Sequence, residues 1–106
     1  MKYIIAIDIG GSTFRTGLFS EKLIQLNISN QDKIRYYDDK DQVVDAIINQ
    51  VNNIIDGNNI NKSDILGVGI ALPGPLDSDK GIILKTPNLT IFQHYDIQSD
   101  FKEKLN

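Results

Sequence analysis

The segment from residue 3 to residue 19 constrains the fold of this chain more than any other. It reads YIIAIDIGGSTFRTGLF, in which an apolar β-branched run is followed by an aspartate, two glycines, two hydroxyl residues and a second β-rich run. This pattern predicts two strands joined by a short turn. Asp8 lies at the end of the first strand, so a carboxylate stands next to the glycines of the turn.

The residue types alone leave two interpretations of this turn open. Gly10 and Gly11 allow backbone amides to approach a phosphate, and the hydroxyls of Ser12 and Thr13 add hydrogen-bond donors. Asp8 would then hold Mg²⁺ through water, and the metal would neutralise the phosphates. In the other interpretation the segment is a plain hairpin, and Asp8 bonds its own backbone.

Two common phosphate-binding motifs do not fit the turn. A Walker loop needs a lysine after its last glycine, and no glycine of the chain has one at that spacing. A dinucleotide fingerprint leads into a helix, whereas here the glycines lead into a strand-like sequence.

The rest of the chain predicts alternating element types. The first strand, KYIIAIDI, is followed by two further strand-like segments, RTGLFS and KLIQLNIS. Together they predict a three-stranded meander over residues 3–29. The nearly continuous apolar run of that first strand is typical of a strand covered on both faces. In DQVVDAIINQVNNIIDGNN the apolar residues recur on one helix face, which predicts a helix at about residues 41–56. Asp39 or Asp41 is the expected N-cap, and Gly57 is expected to end the helix.

Further elements are predicted in the last forty or so residues. ILGVGIALPGPLD predicts a buried strand that runs into a Gly-Pro turn, and GIILKT predicts a further short strand. Ile97, Phe101 and Leu105 follow a helical spacing, so a short amphipathic helix is expected there.

Composition excludes several classes of protein. A chain of 106 residues has the size of one domain, and 41% hydrophobic with 24% charged residues is typical of a globular one. The net charge of −3 has no basic block, so we expect no nucleic-acid partner. The absence of cysteine suits the cytoplasm and excludes disulfides and thiolate metal sites. No apolar run approaches the roughly 20 residues of a membrane span, so no membrane partner is expected.

Two segments resemble a known family. AIDIGGSTFRTGLF resembles the first phosphate motif of the sugar kinase, Hsc70 and actin superfamily. Residues 67–89, GVGIALPGPLDSDKGIILKTPNL, resemble the sugar-facing segment of the ROK family of repressors, open reading frames and kinases. The resemblance implies an α/β fold, namely an RNase H-like (actin-like ATPase) lobe with a mixed sheet, in which a β-meander is followed by α-β units.

The resemblance also implies an activity and its site. The activity would be transfer of the γ-phosphoryl group of ATP to a hydroxyl of a hexose or N-acetylhexosamine, with ATP and Mg²⁺ as cofactors. The turn residues named above would bind the phosphates, with Asp8 toward the metal. Gly74, Thr86 and Asn88 would line the sugar side, although Gly74 is also compatible with a simple turn and Asn88 with a turn cap.

Other features of the family are expected outside this sequence. Residues 1–106 resemble a single N-terminal lobe, and the catalytic aspartate of an N-D-A-N-like motif, a zinc motif and the second lobe would lie beyond Asn106. The chain is therefore expected to be a fragment or a truncated gene product without activity of its own. Family members often dimerise through the second lobe, so a homodimer of the full-length protein stays open.

Two alternatives to a kinase remain. A ROK transcriptional regulator would carry a helix-turn-helix domain ahead of this segment. Because the first strand begins at Tyr3, we expect no such domain, which favours the kinase. The second alternative is a non-catalytic sugar-binding lobe that pairs with another polypeptide. Arg15, Asp77 and Asp79 are interpreted as solvated rather than functional. His94 lies in a polar-aromatic segment without a nearby cysteine or second histidine and is not expected to be a catalytic base.

Overall fold

The structure, a computed structural model, describes residues 1–71, 76–77, 82–83 and 97–105. The strands are β1 (Tyr3–Ile9), β2 (Thr13–Ser20), β3 (Gln25–Ile28), β4 (Asp32–Lys33), β5 (Ile65–Ala71), β6 (Leu76–Asp77) and β7 (Ile82–Ile83). The helices are α1 (Lys40–Gly57) and α2 (Ile97–Leu105), with short 3₁₀ helices at Ile34–Tyr36 and Lys62–Asp64.

The main sheet is mixed, with the strand order β3-β2-β1-β5, and β4 pairs with β2 beside β3. β1, β2 and β3 are antiparallel neighbours, whereas β5 lies parallel to β1. β6 and β7 form a separate antiparallel pair. The predicted meander, the mixed sheet and the α/β fold class are confirmed.

Helix α1 forms because its apolar residues recur on one face. Asp39, one of the two predicted caps, is the N-cap, since its Oδ1 accepts a hydrogen bond from the Gln42 amide at 2.9 Å. The helix packs its buried stripe on the face of the sheet that carries the odd-numbered isoleucines of β1. The most completely buried side chains of this core are Ile5, Ile7, Ile9, Phe14, Leu18, Val43, Val44, Ile47 and Val51.

Helix α2 confirms the short amphipathic helix that the sequence predicts near the end of the chain. Phe101 is 3% exposed within the core, and Leu105 packs against the core from its edge. The Lys104 ammonium lies 3.9 Å from an Asp45 carboxylate oxygen on α1.

Two predictions about burial are wrong. β1 is covered fully on one face only, because Ile4 and Ala6 on its other face are half-buried and Asp8 is exposed. β5 exists where it was predicted but is mostly exposed, with Val68 39% and Leu66 61% accessible. The reason is that β5 lies at the edge of the described sheet, while α1 packs mainly over β2.

Candidate phosphate-binding turn

The turn between β1 and β2 spans residues 10–12 and is held at two points. The Gly10 amide donates to the Thr13 carbonyl at 2.8 Å, which closes the hairpin. The Ser12 carbonyl accepts from the Ile34 amide at 2.9 Å, which ties the turn to the 3₁₀ helix after β4. The backbone of the turn is therefore anchored on both sides.

Two backbone donors of the turn find no acceptor in the part of the chain that the structure describes. The amides of Gly11 and Ser12 donate no hydrogen bond within the described part of the chain. Neighbouring backbone amides in a turn form a cradle for anions. The geometry thus agrees with the phosphate interpretation of this segment.

Gly10 is not required by the fold. A Cβ atom placed on it would lie 3.4 Å from the Thr13 carbonyl oxygen, at the border of ordinary contact, and its φ is not in the left-handed region. Backbone conformation therefore does not explain a glycine here. A glycine at this position leaves the backbone open to close approach by a ligand.

Asp8 faces away from the core, on the same side of the sheet as Arg15. The two residues are directly paired in the register of β1 and β2, and Arg15 Nε lies 3.8 Å from Asp8 Oδ2. Both side chains are accessible, at 60% for Asp8 and 44% for Arg15. An accessible carboxylate next to free amides can take part in binding Mg²⁺ together with phosphate oxygens.

The groups around the turn fit a metal ion that is also coordinated by the phosphates of a nucleotide. No group of three or more His, Asp or Glu residues gathers anywhere in the described ranges, so a site built from protein ligands alone is not found there. Mg²⁺ commonly uses one or two carboxylates plus substrate phosphates and water. One carboxylate, from Asp8, is what this turn offers.

The parallel strand β5 ends at the same edge of the sheet. Ala71, its last residue, is paired with Asp8 in the register of β1 and β5. The carboxyl ends of both strands therefore meet beside the turn. Open α/β sheets place ligands at this end of their strands.

The predicted sugar-side residues, Gly74, Thr86 and Asn88, lie outside the described residues, as do Asp79 and His94. Asp77 belongs to β6, where it is paired with Ile82. Of the predicted site residues, the structure thus brings together Asp8, Gly10, Gly11, Ser12 and Thr13.

Sequence reasoning missed the pairing of Arg15. It interpreted the side chain as a solvated strand residue, and the structure adds a specific neighbour, Asp8. A signal for this existed, because the two residues stand at equal distances from the centre of the predicted turn. Residues placed symmetrically about a hairpin turn face each other across it.

The sequence matches one protein family and is similar to a glucokinase. A family model described as "ROK family" matches residues 4–106. The glucokinase of Thermotoga maritima is 27% identical over 101 residues, which cover 95% of this chain and 30% of that protein.

The fold also occurs in solved structures. A ROK family glucokinase from Streptomyces griseus, in complex with glucose and AMPPNP, superposes with a TM-score of 0.73 at 24% identity over 97% of this chain. A ROK family transcriptional regulator, a homologue of the E. coli Mlc protein, gives 0.74 at 17% identity over 94% of this chain. The chain spans 29% of the first protein and 25% of the second.

Proposed function

Because the chain belongs to the ROK family, we propose that it is the N-terminal portion of an ATP-dependent sugar kinase. The observation that carries the proposal is the β1–β2 turn, in which the free amides of Gly11 and Ser12 stand next to the exposed Asp8 carboxylate. The named relatives support it, since one is a glucokinase and another binds glucose and AMPPNP, an analogue of ATP.

The residues of the turn would bind the nucleotide phosphates. The Gly11 and Ser12 amides would donate to phosphate oxygens, and the Thr13 hydroxyl would add a donor from the start of β2. Mg²⁺, when bound, spreads the negative charge of the phosphates and so stabilises phosphoryl transfer. Asp8 would orient the hydrated ion, and Arg15 would add positive charge at the same place.

The sugar would bind beside this turn. β5 ends at Ala71, opposite Asp8, and the chain then continues toward Gly74. We assign Gly74, Thr86 and Asn88 to recognition of the sugar, which is a hexose or an N-acetylhexosamine. We propose that the carboxylate that accepts the proton of the sugar hydroxyl, and the adenosine-binding lobe, are supplied by a longer polypeptide that contains this chain.

The alternative function is that of a sugar-sensing regulator. It is favoured by one observation, the superposition on a ROK family transcriptional regulator with a TM-score of 0.74. A regulator needs the lobe and a sugar site, but it does not need a phosphate turn with a carboxylate. The two functions therefore make different demands on Asp8.

The test is Asp8→Asn in a polypeptide that carries this chain together with the second lobe. Asparagine keeps the shape of the side chain but removes its charge. We expect kcat for sugar-dependent ADP production to fall at least about 10²-fold, as loss of one transition-state contact typically causes. The free energy of unfolding should change by less than about 0.5 kcal/mol, because the side chain is exposed.

Asp56→Asn is the matched control, since Asp56 is an exposed aspartate on α1 away from the turn, and it should keep normal turnover. Normal turnover of Asp8→Asn with lowered stability would make Asp8 a turn residue. Sugar binding without any turnover by the unsubstituted polypeptide would favour the regulator. Residues 1–106 alone should show no turnover, because loss of a positioned base already costs roughly 10²- to 10⁴-fold.

A further inference from the structure

A groove of about 800 Å³ lies between α1 and the chain at residues 27–32. The segment contains the end of β3 and the start of β4, so it runs along the edge of the sheet. The volume is within the range of small-molecule sites. Residues 8–15 do not line the groove, which is therefore separate from the phosphate-binding turn.

Amide side chains dominate the walls. Of the sixteen described lining residues, eight are Asn or Gln, two are Asp, and none is Lys or Arg. Ile28, Ala46 and Ile54 add apolar surface, and Tyr37 adds an aromatic ring. A primary amide presents a donor and an acceptor in one plane, which suits ligands whose hydroxyls both donate and accept.

Some of these amides already hold the groove in shape. Gln50 accepts from the Thr16 hydroxyl at 2.8 Å and donates to the Asn30 carbonyl at 3.3 Å, so it links α1 to both β2 and the opposite wall. Asn58 donates to the Ile54 carbonyl at the end of α1 at 2.6 Å. The walls are thus connected by hydrogen bonds before any ligand binds.

Four other amide side chains have no hydrogen-bond partner among the described residues. The side chains of Asn30, Gln31, Asn49 and Asn53 make no hydrogen bond to any residue that the structure describes. Asn49 and Asn53 lie one turn apart on α1 and so point from the same face of the helix. Asn30 and Gln31 belong to the opposite wall, so free amides stand on both sides of the groove.

The charges of the groove select against anions. Asp32 accepts a hydrogen bond from the Tyr37 hydroxyl, and Asp45 lies 3.9 Å from the Lys104 ammonium, so both carboxylates already have partners. With two carboxylates and no lysine or arginine among the described lining residues, a phosphorylated ligand would be repelled. A neutral ligand meets no such penalty.

We propose that this groove is a binding site for an uncharged carbohydrate, either a single sugar or a short oligosaccharide. Its free amides would pair with hydroxyls, while the apolar residues and the Tyr37 ring would contact the C–H faces of the sugar rings. The site does not depend on the kinase activity, because none of residues 8–15 lines the groove.

The test is an NMR titration of the ¹⁵N-labelled chain of 106 residues with glucose, maltose and glucose 6-phosphate. Side-chain NH₂ resonances of Asn and Gln report directly on the groove. We expect glucose and maltose to shift those of Asn30, Gln31, Asn49 and Asn53, with dissociation constants on the order of millimolar. Glucose 6-phosphate should bind roughly tenfold more weakly because of the two carboxylates.

The double variant Asn49→Ala, Asn53→Ala should lose these shifts and still fold, because alanine is favourable in an exposed helix. Asn61→Ala, at an exposed position outside the groove, is the matched control and should keep them.

The proposal is overturned if the unsubstituted chain shows no shifts at sugar concentrations up to tens of millimolar. It is equally overturned if shifts are confined to residues outside the groove, or if glucose 6-phosphate binds as well as glucose. Shifts confined to residues 67–89 would identify the kinase sugar segment instead, so the two proposals fail separately.

Discussion

Asp8 and Arg15 lie directly opposite each other on β1 and β2, with Arg15 Nε 3.8 Å from Asp8 Oδ2 at the base of the candidate phosphate-binding turn. Both side chains are largely accessible to water. Exposed ion pairs contribute little to stability. The pairing therefore places one carboxylate and one guanidinium next to the free amides of Gly11 and Ser12, rather than holding the fold together.

Arg15→Gln tests whether the positive charge serves the ligand. Since the pair is exposed, we expect the free energy of unfolding to change by less than about 0.5 kcal/mol. In a polypeptide with the second lobe, the KM for ATP should rise roughly three- to tenfold, because a cation near the phosphates is lost. Chemical denaturation and steady-state kinetics measure the two effects. Lys22→Gln, at an exposed position after β2 and at the opposite end of that strand from the turn, is the control and should leave KM unchanged. A large loss of stability without a change of KM would mean that Arg15 is structural.

Gly10→Ala separates ligand approach from folding. A Cβ atom would lie 3.4 Å from the Thr13 carbonyl oxygen, so the fold should tolerate it within about 1 kcal/mol. The methyl group would stand beside the turn amides, and a small misplacement of phosphate is expected to lower kcat at least about tenfold. Gly67→Ala on β5, where nothing lies within 4 Å, should alter neither property appreciably. Unchanged turnover of Gly10→Ala would argue against phosphate binding at this turn.

Tyr37 makes the stability of the chain depend on pH in the alkaline range. Its hydrogen bond to the Asp32 carboxylate, together with burial and the nearby negative charge, raises the pKa of Tyr37 from 10.0 to about 12. The stabilisation is therefore complete below pH 10 and is lost as the pH rises from 10 toward 12. Tyr37→Phe should lower the free energy of unfolding by about 1 kcal/mol at pH 8 and by less at pH 12.

Urea denaturation at both pH values measures this difference, and comparison of variant with parent cancels the titration of the other tyrosines. Tyr36→Phe is the matched control, because Tyr36 is 65% exposed. A constant difference between parent and Tyr37→Phe from pH 8 to pH 12 would contradict the role of the hydrogen bond.

Asn52 carries an unsatisfied polar atom. Its Oδ1 is buried on α1 and has no hydrogen-bond partner within the described ranges. An unpaired buried polar group costs free energy that an apolar side chain of similar size avoids. We expect Asn52→Leu to raise the free energy of unfolding by about 1 kcal/mol, as measured by chemical denaturation. The neighbouring Asn53 is exposed, so Asn53→Leu should not raise the free energy of unfolding. If both variants have the same free energy of unfolding, the unpaired Asn52 oxygen does not destabilise the fold.

Local patterns in the sequence were sufficient for most elements of this lobe. The alternation of residues 3–29 predicted the meander, and the helical stripe with Asp39 predicted α1 and its cap. The turn residues from Asp8 to Thr13 were named from the glycines, the hydroxyls and the carboxylate between two strands. These features depend on residues close together in the chain, whose side chains set the backbone conformation directly.

Tertiary structure decided the rest. The parallel pairing of β5 with β1, which brings Ala71 opposite Asp8, and the groove between α1 and residues 27–32 join parts of the chain that are distant in sequence. The exposure of Val68 on a strand that reads as buried has the same origin, since burial depends on which elements pack beside a strand rather than on the strand itself. Partners and neighbours are properties of the packed chain, and for this reason a pattern of local residue types determines the elements of this protein but not the sites between them.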